Sequence, residues 1–596
     1  MAEPLDVLIS VDELLSAAAA DAPDRAALVH AGSVTTFAEL DRQVDVAADW
    51  VADLLARHGT PVTGSTVAVT AVPRPDFAVV YLGVLRSGNV VAATNPLLPP
   101  ATLAGVLRDG QVRLAIGPES DSVPTAPLAE WRTGGPHRPP RPARSLDAPA
   151  SVLFTSGTTG DPKAVLLSAR NLAVNAAQTA MAHRLRPGSV AGNGLPSYHP
   201  MHLNSALHAG ATQVLCWSTD PAESMRLAAA HAVTHYYSLP VLLTRLADHP
   251  DLPRLRAPAL RMIASGGSAL APALACLLSA HFKVPVVQGY GLAETSPLTH
   301  FDLPEDPHPE SVGLPVVGTE CRTVEVGGRR VLGVDEVGEV QVRGPQVMLG
   351  YLGGGGGGSD GWLATGDIGR IAADGRLYLV DRLKDVFKHD NWLVSPTAVE
   401  RALLARPEIT DCCVLDRPDP VHGGVAHALV VGGSDARAAV DAVNADLAYY
   451  ERVGSVELVP AIPRSPNGKV PRAALRARLH RGGPESAALP SVRWNGERTM
   501  VTLVNKFTVS GDPAEFERIW VESSEFMRTQ AGFRGFRLVR SVNDPTVYIN
   551  IAEWAEAADH QRVVRGESFR RHIEAIAVLA KAEPELCSVV IECDAS

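Results

Sequence analysis

Two spacings of apolar residues alternate along the first half of the chain. From Phe37 to Leu55 they recur every three or four positions, which predicts an amphipathic helix, whereas the apolar run Thr66 to Thr70 predicts a buried strand. Asp76 to Leu85 returns to the helical spacing and Val90 to Ala93 to the strand. This alternation, from residue 10 to about 300, predicts an α/β architecture with largely parallel sheets. Residues 133 to 145, with Gly-Gly-Pro-His-Arg-Pro-Pro-Arg-Pro, have the composition of a surface loop or linker.

Two breaks interrupt the pattern. The six glycines Gly353 to Gly358 offer no side chain to a core and predict a flexible connector near a domain boundary. The second break runs from Arg481 to Arg498. After it the chain predicts a strand (Met500 to Val509), a helix (Pro513 to Gln530), two strands flanking Asn543-Asp544-Pro545, a helix (Glu556 to Ala580) and a last strand (Cys587 to Glu592). That β-α-β-β-α-β order is ferredoxin-like. Its helices cover one sheet face. The alternations Leu503, Asn505, Phe507 and Tyr548, Asn550, Ala552 are expected on the other, open face, which would pair two copies into a barrel.

The 596 residues allow about four globular units. With 46% hydrophobic and 20% charged residues there is material for packed cores. A net charge of −11 lacks the basic excess that a nucleic-acid backbone rewards. Seven scattered cysteines without a CxxC pair fit reduced thiols better than disulfides or a zinc site. The acidic start Met-Ala-Glu-Pro-Leu-Asp does not resemble a signal peptide, and no apolar run approaches ~18 residues, so a soluble, cytoplasmic protein without a membrane partner is expected.

Lysine is scarce, with seven in the chain, so each one kept is informative. Phe154-Thr155-Ser156-Gly157-Thr158-Thr159-Gly160-Asp161-Pro162-Lys163 directly follows an apolar stretch. Glycines allow close backbone approach, hydroxyl and amide groups donate to phosphate oxygens, and a lysine neutralises charge, so the segment reads as a polyphosphate cradle or as a polar turn after a strand. A Walker A loop is excluded because the Gly-Lys-[Ser/Thr] ending is missing.

Four further segments follow in order: Gln288-Gly289-Tyr290-Gly291-Leu292-Ala293-Glu294-Thr295, Trp362 to Asp367, Asp381-Arg382-Leu383-Lys384-Asp385 and Pro463 to Lys469. Over residues 10 to 480 the combination resembles the adenylate-forming superfamily, in its acyl-CoA synthetase branch of AMP-dependent ligases. The resemblance implies a large α/β N-terminal domain (1–381), a small mobile α+β C-terminal ligase subdomain (382–480), a linker (481–499) and the appended ferredoxin-like α+β barrel domain (500–596).

It also implies roles. Thr155 to Lys163, including Ser156, Gly157, Thr158, Thr159 and Gly160, would hold the ATP β- and γ-phosphates; Glu294 would bind Mg²⁺ and Thr295 the α-phosphate. Gly289, Tyr290 and Gly291 would line the nucleotide, Asp367 would accept from both ribose hydroxyls, and Arg382 would also contact it. Lys469 would bridge the carboxylate and the α-phosphate during adenylation. Lys384 would be the hinge about which the small subdomain turns, presenting the Lys388 segment for thioester formation. Ala164 and Asn391 stand where the family has glycine; asparagine tolerates the left-handed turn expected at 391.

The acyl pocket would be built from Tyr198 and His199, with His202 as a competing register for the histidine, and from Tyr237, Ser265, Gly266 and Gly267. No aspartate follows the aromatic residue, which disfavours an α-amino acid. No Gly-x-Asp-Ser-Leu site is present, so the acyl acceptor is CoA or the phosphopantetheine of a separate carrier protein. Residues 500 to 596 resemble antibiotic-biosynthesis monooxygenase domains, where Asn550 and Trp554 would line an oxygenation pocket; a role in dimerisation or substrate presentation stands beside that one. The chain is expected to be a carboxylate-activating ligase of secondary metabolism, forming a homodimer through its last domain. The rival readings are a carrier-loading enzyme whose last domain only dimerises and a non-catalytic nucleotide-binding scaffold.

Overall fold

The computed structural model describes residues 9–96, 98–118, 120–133, 145–155, 163–355, 360–390, 392–419, 421–433, 435–464, 470–480, 501–528, 530–541, 544–555, 562–563, 576 and 578–588. The chain separates into two compact units, Met1–Ala477 and Arg478–Ser596. The expected loop at 133–145 and the break at 481–498 fall almost wholly outside the described residues.

The periodic segments become the expected elements. Phe37–Arg57 is a helix that opens with a capping box: the Thr36 hydroxyl accepts from the Glu39 amide, and the Glu39 carboxylate accepts from the Thr36 amide. Its apolar stripe, Phe37, Leu40, Val44, Ala47, Val51 and Leu54, is buried. The helix Pro75–Arg86 packs on it, and the strands Thr66–Thr70 and Val90–Thr94 pair in parallel. Arg86, 2% exposed at its side chain, closes the assembly through Asp41 and Asp45, each at 2.7 Å. Its guanidinium also donates to the Ser16 hydroxyl at 3.0 Å, so one side chain ties three helices together. Arg86→Met, which leaves the two aspartates without their cation, is expected to cost about 3 kcal/mol or more of stability, read by urea denaturation.

Three sheets build the larger part of the first unit, in which a nine-stranded sheet and a seven-stranded sheet carry most of the strands. Both central regions are parallel. A four-stranded antiparallel sheet follows, and the five-stranded sheet of residues 387–458 packs the helices Pro396–Leu404 and Ala436–Asp446. Strands Gly338–Arg343 and Leu363–Ile371 are antiparallel neighbours, and Gly350–Tyr351 pairs with Val165–Leu166. Gly353, Gly354 and Gly355 take φ values of 100°, 103° and 90°, which a side chain would resist.

In the second unit the sheet order places strand Val501–Val509 between Val547–Trp554 and Ala580–Ser588, with Phe533–Arg540 at the far edge, all antiparallel. This is the ferredoxin-like arrangement. Two expectations are overturned. The last strand begins at Ala580, not Cys587, and pairs along its whole length with the first strand. Pro584 and its charged neighbours disguised it, because proline and charge are tolerated on an edge strand. Asn505, Phe507, Tyr548, Asn550 and Ala552 are buried, not on the open face: Phe507 and Tyr548 pack around Phe516 of the helix Pro513–Arg528, and Leu503 shares their side of its strand. The opposite face carries Val504, Lys506, Ile549 and Ile551, with Val539 44% exposed.

Candidate active site

The parallel strands Val190–Asn193, His235–Ser238, Met262–Ser265 and Val286–Gly291 end at a common edge, in register through Asn193 with Tyr237, Ser238 with Ser265 and Ser265 with Gln288. Ligands of open α/β sheets bind beyond such carboxyl ends. The loop after Met262–Ser265 turns on Gly267 at φ +84°. At Gly291 a Cβ would lie 2.0 Å from the Pro297 carbonyl oxygen, so only glycine lets the two backbones approach.

Tyr290 donates its hydroxyl to Asp367 Oδ2 at 2.6 Å, and Arg382 Nε lies 3.0 Å from Oδ1. Asp367 and Arg382 are cross-strand neighbours, which holds the pair in line. The Asp367 carboxyl is 4% exposed as a residue, while Arg382 is about half-exposed at its side chain. Burial, and next the carboxylate, push the Tyr290 hydroxyl far above its ordinary pKa, so it stays a donor.

A second group forms around Tyr351. Tyr351 donates to Glu294 Oε1 at 2.9 Å, and Lys163 Nζ lies 5.0 Å from the centre of the Tyr351 ring. Tyr351 thus joins Lys163 to the Glu294 carboxylate. Sequence reading missed it, although it stands two residues ahead of the glycine run. Thr155 and Lys163 face each other across an antiparallel pair, and Ser156, Gly157, Thr158, Thr159 and Gly160 lie outside the described residues. Thr295 is fully buried in a 3-10 turn, its hydroxyl oxygen 3.0 Å from the Leu292 carbonyl oxygen and 2.5 Å from that of Pro297.

On the acyl side, His202 stacks on Tyr237 with ring centres 4.2 Å apart. His183 Nδ1 lies 3.0 Å from the Tyr237 hydroxyl, and its ring lies 4.2 Å from that of Phe301. His183 and Phe301 gave no signal in the sequence, since they lie 54 and more residues from Tyr237. His199 caps the helix Pro200–His208: its Nδ1 accepts from the Met201 amide at 3.2 Å, which puts the ring proton on Nε2. Tyr198 turns into the core, packs on Phe77 and donates to Gln213. Ser265 Oγ and His202 Nδ1 are buried without a hydrogen-bond partner, although Ser265 and Gly266 stand at the strand edge as expected.

Burial lowers the pKa of His199 to about 4 and of His183 to about 3, and holds that of His202 well below its ordinary value. These imidazoles are therefore uncharged at neutral pH. A folded imidazole that refuses a proton is penalised once the unfolded one accepts it, so stability is complete above about 6.5 and falls as pH drops towards about 3. The slope is about 1.4 kcal/mol per pH unit for each such histidine. His183→Gln is expected to flatten the acid limb of thermal stability, measured as melting temperature against pH.

The small subdomain places Lys384 in the exposed turn after strand Leu377–Arg382 and Lys388 on the exposed side of strand Phe387–His389. Lys469 and Asn391 lie outside the described residues; Asp390 takes a left-handed φ of 47°. Three residues after Lys469, Arg472 meets both oxygens of Glu400 at 2.7 Å, which anchors the helix Arg472–His480. In the second unit Asn550 faces Asn505 across the strand pair, both with a buried unpartnered Oδ1, and Trp554 is fully buried against Phe533.

Residues 15–352 match the AMP-binding enzyme family and residues 398–469 the AMP-binding enzyme C-terminal domain. The first match spans more than half of the chain, which belongs to the AMP-binding enzyme family and, with its relatives, to the AMP-forming acid–thiol ligases. Residues 500–575 match the antibiotic biosynthesis monooxygenase family. Among its relatives is 4-coumarate–CoA ligase 5 of Oryza sativa subsp. japonica, 29% identical over 78% of this chain and 94% of the relative. The 4-coumarate–CoA ligase-like 4 of the same plant is 30% identical over 74% and 87%. Of solved structures, ATP-bound MatB from Rhodopseudomonas palustris superposes with TM-score 0.71 at 24% identity, covering 79% of this chain and 99% of the other. The o-succinylbenzoate CoA synthetase of Bacillus subtilis, in complex with its acyl-adenylate intermediate, gives 0.70 at 25%, covering 80% and 99%. Among the described residues no helix is long and apolar enough to cross a membrane.

Proposed function

We propose that the first unit activates an aryl carboxylic acid with ATP and passes the acyl group to CoA. The observation that carries activation is the buried Asp367 carboxylate, clamped between Tyr290 and Arg382 beside the carboxyl ends of the parallel strands. Asp367 would take the ribose hydroxyls, Arg382 the nucleotide, and Thr155 to Lys163 the phosphates. Glu294 keeps one oxygen free of its Tyr351 bond and so fits a hard divalent cation; Mg²⁺ there would offset phosphate charge. Lys469 would neutralise the charge that builds as carboxylate attacks phosphorus. The small subdomain (382–480) would then turn about Lys384 and bring Lys388 to the thioester-forming face.

The aryl preference rests on the stacked, uncharged wall of His202, Tyr237, His183 and Phe301. Flat rings favour a flat substrate, and no carboxylate among these residues would pair an ammonium. The relatives that act on 4-coumarate agree in class. Product analysis tests the acceptor: an aryl acid with ATP and CoA should give aryl-CoA, and loading of a carrier protein with CoA refused would overturn the reading.

The second unit would pair two copies through its partly apolar open face, Val504, Val539, Ile549 and Ile551. Truncation after Arg493 is expected to leave pyrophosphate exchange intact while halving the mass seen in sedimentation. A truncated protein that stays dimeric would contradict it. O₂ uptake with the acyl product, lost in Asn550→Ala, would assign the second unit an oxygenase role; without uptake it serves association alone. The enzyme is placed in the cytoplasm and in secondary metabolism by the same reading.

A further inference from the structure

At the tip of the hairpin formed by Phe387–His389 and Trp392–Val394, two histidines and an aspartate from two loops converge. His389 and Asp390 come from the hairpin and His422 from the turn before strand Gly423–Gly432. The imidazoles lie nearly parallel, ring centres 4.8 Å apart and planes 10° apart. The Asp390 carboxylate meets both: Oδ1 is 2.8 Å from His422 Nδ1, and Oδ2 is 3.9 Å from His389 Nε2.

The protons make this arrangement informative. His389 Nδ1 lies 2.7 Å from the Gly424 carbonyl oxygen, which can only accept, so Nδ1 carries the hydrogen. In the neutral ring Nε2 is then a lone pair, and it faces a carboxylate oxygen beyond hydrogen-bond range. Two acceptors set against each other call for a cation between them. A histidine whose far nitrogen donates to a backbone carbonyl is also the arrangement that orients imidazole towards a metal.

The backbone holds the loops together without help from the side chains. The Asp390 amide donates to the His422 carbonyl at 3.0 Å, and His389 pairs with Gly423 across the sheet. The Asp419 carboxylate accepts from the amides of Val421 and His422, each at 2.9 Å, and fixes the second loop.

We propose that His389, Asp390 and His422 form a binding site for a zinc-class divalent transition metal, with water completing the coordination. Two imidazoles and one carboxylate suit Zn²⁺, Co²⁺ or Ni²⁺ and not Mg²⁺ or Ca²⁺, which take oxygen ligands. Metal–ligand distances of about 2.0–2.1 Å set tetrahedral donors about 3.3 Å apart. The three donor atoms already lie within 4.8 Å of one another, so side-chain torsions suffice. None of these three residues is among those assigned to the nucleotide, and the assignment does not depend on the identity of the acid.

Chelator-treated full-length protein titrated with Co²⁺ is expected to show one site with visible d–d absorption, bleached by Zn²⁺ and unaffected by excess Mg²⁺. Zn²⁺ should also raise the melting temperature, since it binds the folded protein. His422→Ala and Asp390→Asn, each checked for native circular dichroism, should weaken Co²⁺ binding by at least ~10-fold and abolish the thermal shift. Asparagine keeps the left-handed turn at 390 open to the second variant. Equal binding in wild type and both variants would place the metal elsewhere and overturn the assignment. No Co²⁺ binding by the wild type would leave an aspartate–histidine ion pair alone and overturn it equally.

Discussion

Lys469→Ala is expected to lose carboxylate-dependent ATP–pyrophosphate exchange by ~10² or more, the scale of removing one donor aimed at transition-state charge. Thioester formation from preformed acyl-adenylate should persist, because that half-reaction would use the opposite face of the small subdomain. The helix beginning at Arg472 is fastened by the two-pronged Glu400 pair, and Arg476 bonds Asp416 while reaching the Lys384 carbonyl at 3.3 Å. The helix that follows Lys469 in the sequence is thus coupled to the residue proposed as hinge. Equal loss in both half-reactions would show that Lys469 acts by holding the fold.

The second large effect is expected at Asp367. Asp367→Ala removes the acceptor for the buried Tyr290 hydroxyl and the partner of Arg382 at one stroke. A hydrogen bond to a charged group contributes about 1.5–3 kcal/mol, so loss of ribose recognition should raise KM for ATP by ~10- to 100-fold. Asp367→Asn keeps an acceptor and should fall between the two. The informative contrast is with Tyr290→Phe, which spares both oxygens for the nucleotide. A Tyr290→Phe enzyme as impaired as Asp367→Ala would mean that the tyrosine, not the carboxylate, meets the substrate.

What could be read from the sequence divides by range. The helix at 37–57 and the strands at 66–70 and 90–94 were legible because the spacing of their apolar residues settles each locally. The pairing of Asp367 with Arg382 was not, although both were singled out: it depends on the register of two strands. Tyr198 and His199 are adjacent and equally suggestive, yet one enters the core and the other caps a helix, a choice made by Phe77 and Gln213 far away in sequence. The strand Ala580–Ser588 was hidden because an edge position excuses the proline and charges that speak against a strand. Asn505 and Tyr548 were put on the wrong face of the second unit for a related reason. A polar residue in an alternating strand looks solvent-bound until its cross-strand partner is known, and here Asn505 meets Asn550 under a helix layer.

The most direct measurement of the account is pyrophosphate release from the full-length protein with ATP, Mg²⁺ and a panel of carboxylic acids, the acyl product being followed by mass spectrometry with and without CoA. Release that depends on an aryl acid, an acyl-adenylate without CoA and an aryl-CoA with it, is the result predicted. Release indifferent to the acid supplied, or confined to α-amino acids, would contradict it.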